Sequence, residues 1–238
     1  VEERVLMSAA PAQADFYFDP ISPYAWLAAR SLDRLEDAGI QVRFVPVLFA
    51  GLLKAHGNLG PAEVPAKRLY LFRDVMREAA RRGLPFAGPP GHPFNPLTAL
   101  RMCTAIGDDF ERRRLALALM TACWEGGDDV SDAAVLARLA DEAGFDGHAL
   151  LERAATPQVK QALAAATDAA IADGIFGVPT FRLDGELFWG GDRIEALLWR
   201  LGGGAIDEQQ LAAFLAREPL AQRRVGTPAR TPTLPSHT

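Results

Sequence analysis

The sequence predicts an α/β protein in which a long helical segment interrupts a small sheet. Three observations carry this. A strand-helix-strand pattern fills the first fifty residues, an Ala- and Leu-rich stretch with repeated helix caps occupies 51–174, and a hairpin signal followed by an amphipathic helix spans 178–202. A strand-helix-strand order implies a parallel pair joined by a crossover. A hairpin pairs its strands antiparallel, so the expected sheet is mixed.

The elements follow in order. "ADFYFD" (14–19) is aromatic and then meets Pro, as a buried strand does. "YAWLAARSLDRLEDAG" (24–39) sets Trp26, Leu27, Leu32 and Leu35 on one helical stripe and stops at Gly39, and "IQVRFVPVLF" (40–49) alternates like a strand. After the Gly/Pro-punctuated loop "GNLGPAEVP" (57–65), helices are expected near 64–83, 96–106, 109–126, 131–143, 147–153 and 157–173. In "VPTFRLDGELFWGG" (178–191) the pair Asp184-Gly185 separates two short strands and is the dipeptide most typical of a two-residue hairpin turn. "DRIEALLWRLG" (192–202) and "DEQQLAAFLARE" (207–218) read as closing helices. The expected organisation is a flexible N-terminus (1–13), a sheet domain made of 14–50 and 175–218, a helical insertion (51–174) and a disordered, Pro- and Thr-rich tail (219–238).

Bulk properties narrow the function classes. With 238 residues, 49% hydrophobic and 23% charged, the chain suits a globular fold, and no apolar run approaches the roughly 18 residues of a membrane span. A net charge of −5 argues against nucleic acid as a partner, because phosphate binding needs a basic surface. The basic clusters "REAARR" (77–82) and "ERRRLALAL" (111–119) are interleaved with apolar residues and read as solvated helix faces. Cys103 and Cys123 lie in apolar helical runs without CxxC spacing, a pattern suited to a reducing cytoplasm. His56, His92, His148 and His237 lack metal-ligand spacing, so no metal is expected. "VEERVLMSAAPAQA" (1–14) lacks the apolar core of a secretory signal, and Met7 is a candidate functional start.

The stretch "DFYFDPISPYAW" (15–26) raises the functional question. Ser22 before Pro23 is a standard helix start, in which Ser caps exposed amides and Pro suits the first helical position. Ser22 as its own nucleophile needs a nearby base, and no G-x-S-x-G elbow surrounds it. A cap and a catalytic role both remain open at this point.

The motifs "FYFDPISPYAWLA", "GNLGP", "PAKRLY", "NPLTALR", "FGVPTF" and "FWGGDRIEAL", in this order over about residues 14–201, resemble 2-hydroxychromene-2-carboxylate isomerases and the related kappa-class glutathione transferases. Both belong to the DsbA-like branch of the thioredoxin superfamily. The resemblance implies a thioredoxin-like fold with a large helical insertion, glutathione as cofactor, a small aromatic acid as substrate and a possible homodimer. Where redox relatives carry Cys-x-x-Cys, this chain has Ser22 and Ala25. A hydroxyl and a methyl form no disulfide, so thiol-disulfide exchange is excluded here.

By the same resemblance Ser22 stabilises the glutathione thiolate. Val178, before a cis Pro179, presents its backbone N–H and C=O to the cysteinyl part, and Trp189, Gly190, Gly191 and Asp192 contact glutathione, with Asp192 facing the γ-glutamyl ammonium. Lys67 contacts a glutathione carboxylate, while Lys54, Asn58 and Asn95 meet the substrate. Bland readings stand beside these: Asp192 as a helix N-cap, Lys54 and Asn58 as features of the loop leaving the second strand, Lys67 as a helix surface residue and Asn95 as a helix cap. "GPPGHPFNP" (88–96) is expected to be a rigid loop over the cleft. The implied activity is isomerisation by transient thiolate addition. A conjugating kappa-like transferase and a non-catalytic binding module are the alternatives.

Overall fold

The computed structural model describes residues 12–221. Most of the expected flexible start (1–13) and of the expected tail (219–238), together with Met7 and His237, lie outside the described residues. Four strands, β1 (Gln13–Phe18), β2 (Gln41–Pro46), β3 (Thr180–Leu183) and β4 (Glu186–Trp189), form one sheet in the order β2-β1-β3-β4. β1 and β2 are parallel, and the other two pairings are antiparallel. The mixed sheet expected from the sequence is observed.

Aromatic residues dictate how the sheet packs. Phe16 faces Phe44 across the parallel pair and Phe181 across the antiparallel one, with ring centroids 5.0 Å apart in both cases. All three are fully buried, on the sheet face covered by α1 (Pro23–Ala29), α6 (Asp109–Thr121) and α10 (Ile194–Leu201). Alternation sends Tyr17 to the opposite face. There it packs with Leu52 of α3 (Phe49–Ala55), Ala170 of α9 (Pro157–Ala172), Ile175 and Val178.

Between β2 and β3 the remaining helices are α4 (Pro65–Arg81), α5 (Leu97–Ala105), α7 (Ala133–Glu142) and α8 (Gly147–Ala155), and α11 (Glu208–Leu215) follows α10. Buried residues of α4, α5, α7 and α8 join those of the sheet in one continuous core that runs from Phe16 through Trp26 and Trp124 to Leu150, whereas α11 buries none. The Asp184-Gly185 turn has both residues at positive φ, 51° and 86°, which is why Gly occupies the second position.

Four expected boundaries are corrected. The helix expected over 24–39 breaks into α1 and α2 (Asp33–Glu36), because the Leu27 carbonyl is taken by the Arg82 guanidinium (2.9 Å) and the Ser31 hydroxyl (3.3 Å), while the Ser31 amide donates to Ala28. The second strand stops at Pro46 rather than continuing to 49. Phe49 instead opens α3, whose middle Gly51 lets the helix approach α9: a Cβ there would sit 3.0 Å from the Thr167 methyl. The helix expected over 109–126 ends at Thr121 in a π turn, Ala122–Gly126. Finally, a 3-10 turn, Gly191–Arg193, precedes α10.

Candidate functional site

Ser22 caps α1. Its Oγ accepts from the Ala25 amide (3.2 Å) and donates to the carbonyl of Val178 (3.3 Å), 156 residues away in sequence. The residue is 7% exposed. Among the described residues no imidazole or carboxylate is hydrogen-bonded to this hydroxyl, so nothing there would serve as the base of a serine nucleophile. His56, the one histidine near the second strand, instead bonds the Ile175 carbonyl through Nε2 (3.1 Å).

The Val178–Pro179 bond is cis. The β1–β3 ladder begins at Tyr17 and Thr180, so Val178 lies beyond it, with its backbone beside Ser22 rather than in the sheet. The Pro179 carbonyl accepts from Gly190 N–H (2.9 Å), joining the end of β4 to the same loop. Gly190 has φ 110° and ψ 147°, a conformation open in practice only to Gly. Gly191 lies against α1, where a Cβ would come 3.1 Å from that of Ala28. Trp189, half-exposed, stacks edge-on with Phe176 at 4.9 Å on the outer side of this loop.

Asp192 does not cap α10. The capping position is Arg193, without a side-chain cap bond, and the Asp192 carboxylate instead pairs with the Arg193 side chain at 3.1 Å while remaining solvent-exposed. Tyr24, the second residue of α1, donates its hydroxyl to Asp74 of α4 (2.8 Å). Burial, with Asp74 beside it, holds the Tyr24 phenol well above its usual range, so it stays protonated.

Structure therefore brings Ser22, Val178, Pro179, Gly190 and Gly191 into one contiguous group, with Trp189 and Asp192 on its edge. The other expected residues do not bond to it. Lys54 sits in the last turn of α3 and not in a loop, and Asn58 lies beyond that helix's last residue, Ala55; both are exposed. Lys67 is exposed in the first turn of α4. Asn95 Oδ1 accepts from Leu97 N–H (3.1 Å), which is a helix-start contact. A recess of about 960 Å³ follows the outer face of α4 past Arg68, Phe72 and Met76, but Ser22 is not part of its lining.

Three residues at the site had no role in the sequence reading. Asp19 is fully buried, its carboxylate accepting from Ile21 N–H and Phe49 N–H, each at 3.0 Å, and burial pushes its pKa up to about 7. Trp124, in the π turn, donates its indole N–H to the Pro20 carbonyl (2.9 Å). His92 Nε2 bonds the Ile21 carbonyl (2.9 Å) from the 88–96 loop, where the His92–Pro93 bond is cis. The sequence signal for Asp19 was a carboxylate inside an otherwise aromatic strand end. Trp124 and His92 gave none: helical spacing does not announce a π turn, and no spacing rule aims a side chain from the 88–96 loop.

Comparison with known proteins agrees with this geometry. Residues 13–202 match the model of the DSBA-like thioredoxin domain. The chain is 31% identical over 186 residues to 2-hydroxychromene-2-carboxylate isomerase of Sphingobium xenophagum, an alignment covering 77% of this chain and 94% of that one. Glutathione S-transferase kappa 1 of Homo sapiens is 29% identical over 211 residues, covering 82% and 93%. A solved structure of 2-hydroxychromene-2-carboxylate isomerase superposes with a TM-score of 0.75 at 27% identity, over 86% of this chain and all of that one. A cytosolic disulfide reductase, DsbM of Pseudomonas aeruginosa, shares the fold with a TM-score of 0.57 at 20% identity. The chain belongs to the DsbA-like thioredoxin family, and its relatives there include 2-hydroxychromene-2-carboxylate isomerases and kappa-class glutathione transferases.

Proposed function

We propose that this chain is a cytoplasmic, glutathione-dependent isomerase that interconverts a 2-hydroxychromene-2-carboxylate-like aromatic acid and its trans-o-hydroxybenzylidenepyruvate form. The observation that carries the reading is the Ser22 hydroxyl, buried between the Ala25 amide and the Val178 carbonyl at the cis-proline loop, where a redox relative carries its reactive thiol.

The residues present fit glutathione. Val178 lies past the end of its ladder, so its backbone suits an added extended segment. The Asp192 carboxylate, exposed and not engaged as a cap, suits an ammonium group. When bound, glutathione would supply a thiolate for reversible addition to a conjugated carbon, which would leave the double bond single and free to rotate.

The chain's own part is to hold and poise. Ser22 turns its O–H from Val178 toward the sulfur, and the Ala25 amide keeps the hydroxyl in place. The hydrogen bond favours the ionised form and lowers the thiol pKa from its free value near ~8.5. In this reading Lys54 in the last turn of α3, Asn58 just past it and Asn95 before α5 meet the acid's carboxylate and phenol oxygens, and Lys67 meets a glutathione carboxylate. Two buried thiols without disulfide partners, Cys103 and Cys123, suit a reducing compartment.

A kappa-like transferase shares the thiolate site, and the human relative named above supports it as the second reading. The deciding experiment incubates the purified chain with catalytic glutathione and 2-hydroxychromene-2-carboxylate, following the ultraviolet spectrum while titrating free thiol. Equilibration with constant thiol supports the isomerase. Thiol loss with a conjugate detected by mass assigns the transferase, and a spectrum unchanged by the protein refutes both.

A further inference from the structure

The four residues Asp19 to Ser22 form a turn whose backbone groups are held from two sides. From within, Ser22 N–H donates to the Asp19 carbonyl (3.0 Å) and Ile21 N–H to the Asp19 carboxylate. From the helical insertion come two ring N–H groups: Trp124 Nε1 to the Pro20 carbonyl and His92 Nε2 to the Ile21 carbonyl, each at 2.9 Å. These are the carbonyls of the two residues immediately before Ser22. A buried carbonyl left without a donor costs about 1–3 kcal/mol, so both contacts favour a single placement of the turn.

The two donors are themselves fixed. Trp124 is fully buried, packed against Trp26 at 6.4 Å, Phe86 at 6.2 Å and His92 at 5.7 Å. The π turn that carries it is anchored next door, where Glu125 accepts from Trp26 Nε1 (2.9 Å) and pairs with Arg30 (3.0 Å). His92 is wedged edge-on against Phe72 of α4 at 5.2 Å. Because Nε2 faces a carbonyl it must carry the proton, and Nδ1 is buried without a partner among the described residues, so only the neutral tautomer suits the site. Burial lowers the histidine's affinity for a second proton in the same sense.

We propose that Trp124 and His92 are positioning residues through which the helical insertion fixes the Ser22 hydroxyl for the thiol of bound glutathione. The clamp itself is independent of ligand identity; its effect on the thiol rests on the functional reading above. Neither residue touches the reacting atoms. Both act through the carbonyls of the turn, and both come from the segment between β2 and β3, which gives the insertion a part in the chemistry beyond covering it.

The test compares wild type with Trp124→Phe, His92→Phe and His92→Gln. Phe keeps an aromatic ring in each pocket and removes the donor, whereas Gln keeps an N–H of similar reach. Amide hydrogen exchange at Ile21 and Ser22, measured without ligand, is expected to quicken in both Phe variants and to return toward wild type in His92→Gln. With glutathione bound, the fraction of thiol ionised at neutral pH should fall about three- to ten-fold in the Phe variants, the size one ordinary hydrogen bond supplies. Affinity for S-methylglutathione, which has no ionisable thiol, should stay near wild type. Unchanged exchange at both amides overturns the clamp whether or not glutathione binds. Faster exchange with an unshifted thiol overturns its role in positioning. If wild type binds no glutathione, the functional reading falls while the exchange arm still decides the clamp. Should Trp124→Phe fail to fold, the His92 pair decides alone.

Discussion

Replacing Asp19 by Asn should change how stability depends on pH, and the structure sets the size. The carboxyl is wholly buried and, among the described residues, has no cationic partner and accepts only two backbone N–H groups, from Ile21 and Phe49. Burial outweighs those bonds and raises its pKa from 3.8 to about 7. Between these values the native state keeps a proton that the unfolded chain has released, so the native state is favoured at low pH and loses that advantage as pH rises. The contribution is fully present below the unfolded value of 3.8 and gone once pH passes the native value of about 7. At about 1.4 kcal/mol for each tenfold change in the ionisation equilibrium, the loss is on the order of 4 kcal/mol.

Asn at this position cannot ionise. It also turns an N–H₂ toward one of the two amides, a mismatch worth about 1–3 kcal/mol. Wild type should therefore be the more stable protein near pH 4.5, and Asp19→Asn the more stable near pH 8, with the curves crossing between. Urea unfolding of both proteins across that range measures the difference, in which every other titrating group cancels. A wild-type advantage that stays constant from acid to alkaline pH would refute the assignment of a buried, protonated Asp19.

Further outcomes follow from other contacts. Ser22→Ala removes the bond to Ala25 N–H and should lower the unfolding free energy by about 1 kcal/mol, the worth of an N-cap, as read by urea denaturation. Gly190→Ala forces a Cβ to within 2.5 Å of the Asp192 carboxylate at a φ of 110°; we expect a loss of about 1–3 kcal/mol, visible as a lower midpoint in thermal unfolding. The Cys103 and Cys123 thiols are buried, and burial pushes the Cys103 pKa up to about 12 and that of Cys123 higher still. Neither should react with a disulfide reagent in the native protein at pH 8, and both should react after denaturation; native labelling would contradict their burial.

The sheet was legible because its signals are local. Aromatic character in 14–19 and the Asp184-Gly185 pair are properties of short segments, and the structure places β1 and the β3–β4 hairpin where those segments lie. α3 was hidden because its Gly51, which lowers helix propensity, is there for close packing on Thr167, a contact 116 residues distant. The same distance in sequence separates reading from observation at the site. Ser22 as a cap is written in "ISPYA", but its bond to Val178 exists only once β3 lies beside β1, and only resemblance pointed there. The two ring donors on the turn come from a π turn and a proline-rich loop, neither of which has a spacing rule that could aim a side chain. Asp192 shows the converse: a residue type that reads as an N-cap from sequence is left free of that duty by the 3-10 turn in which it sits.

The central claim is that Ser22 poises a thiol that the protein borrows. The most direct measurement is the ultraviolet titration of the glutathione thiol on wild type and on Ser22→Ala, with binding followed by calorimetry in parallel. The account predicts a thiol pKa on wild type well below the free value near ~8.5, and a return toward that value in Ser22→Ala with glutathione still bound. An identical thiol pKa on both proteins, or no binding to wild type at millimolar glutathione, would contradict it and leave Ser22 a helix cap.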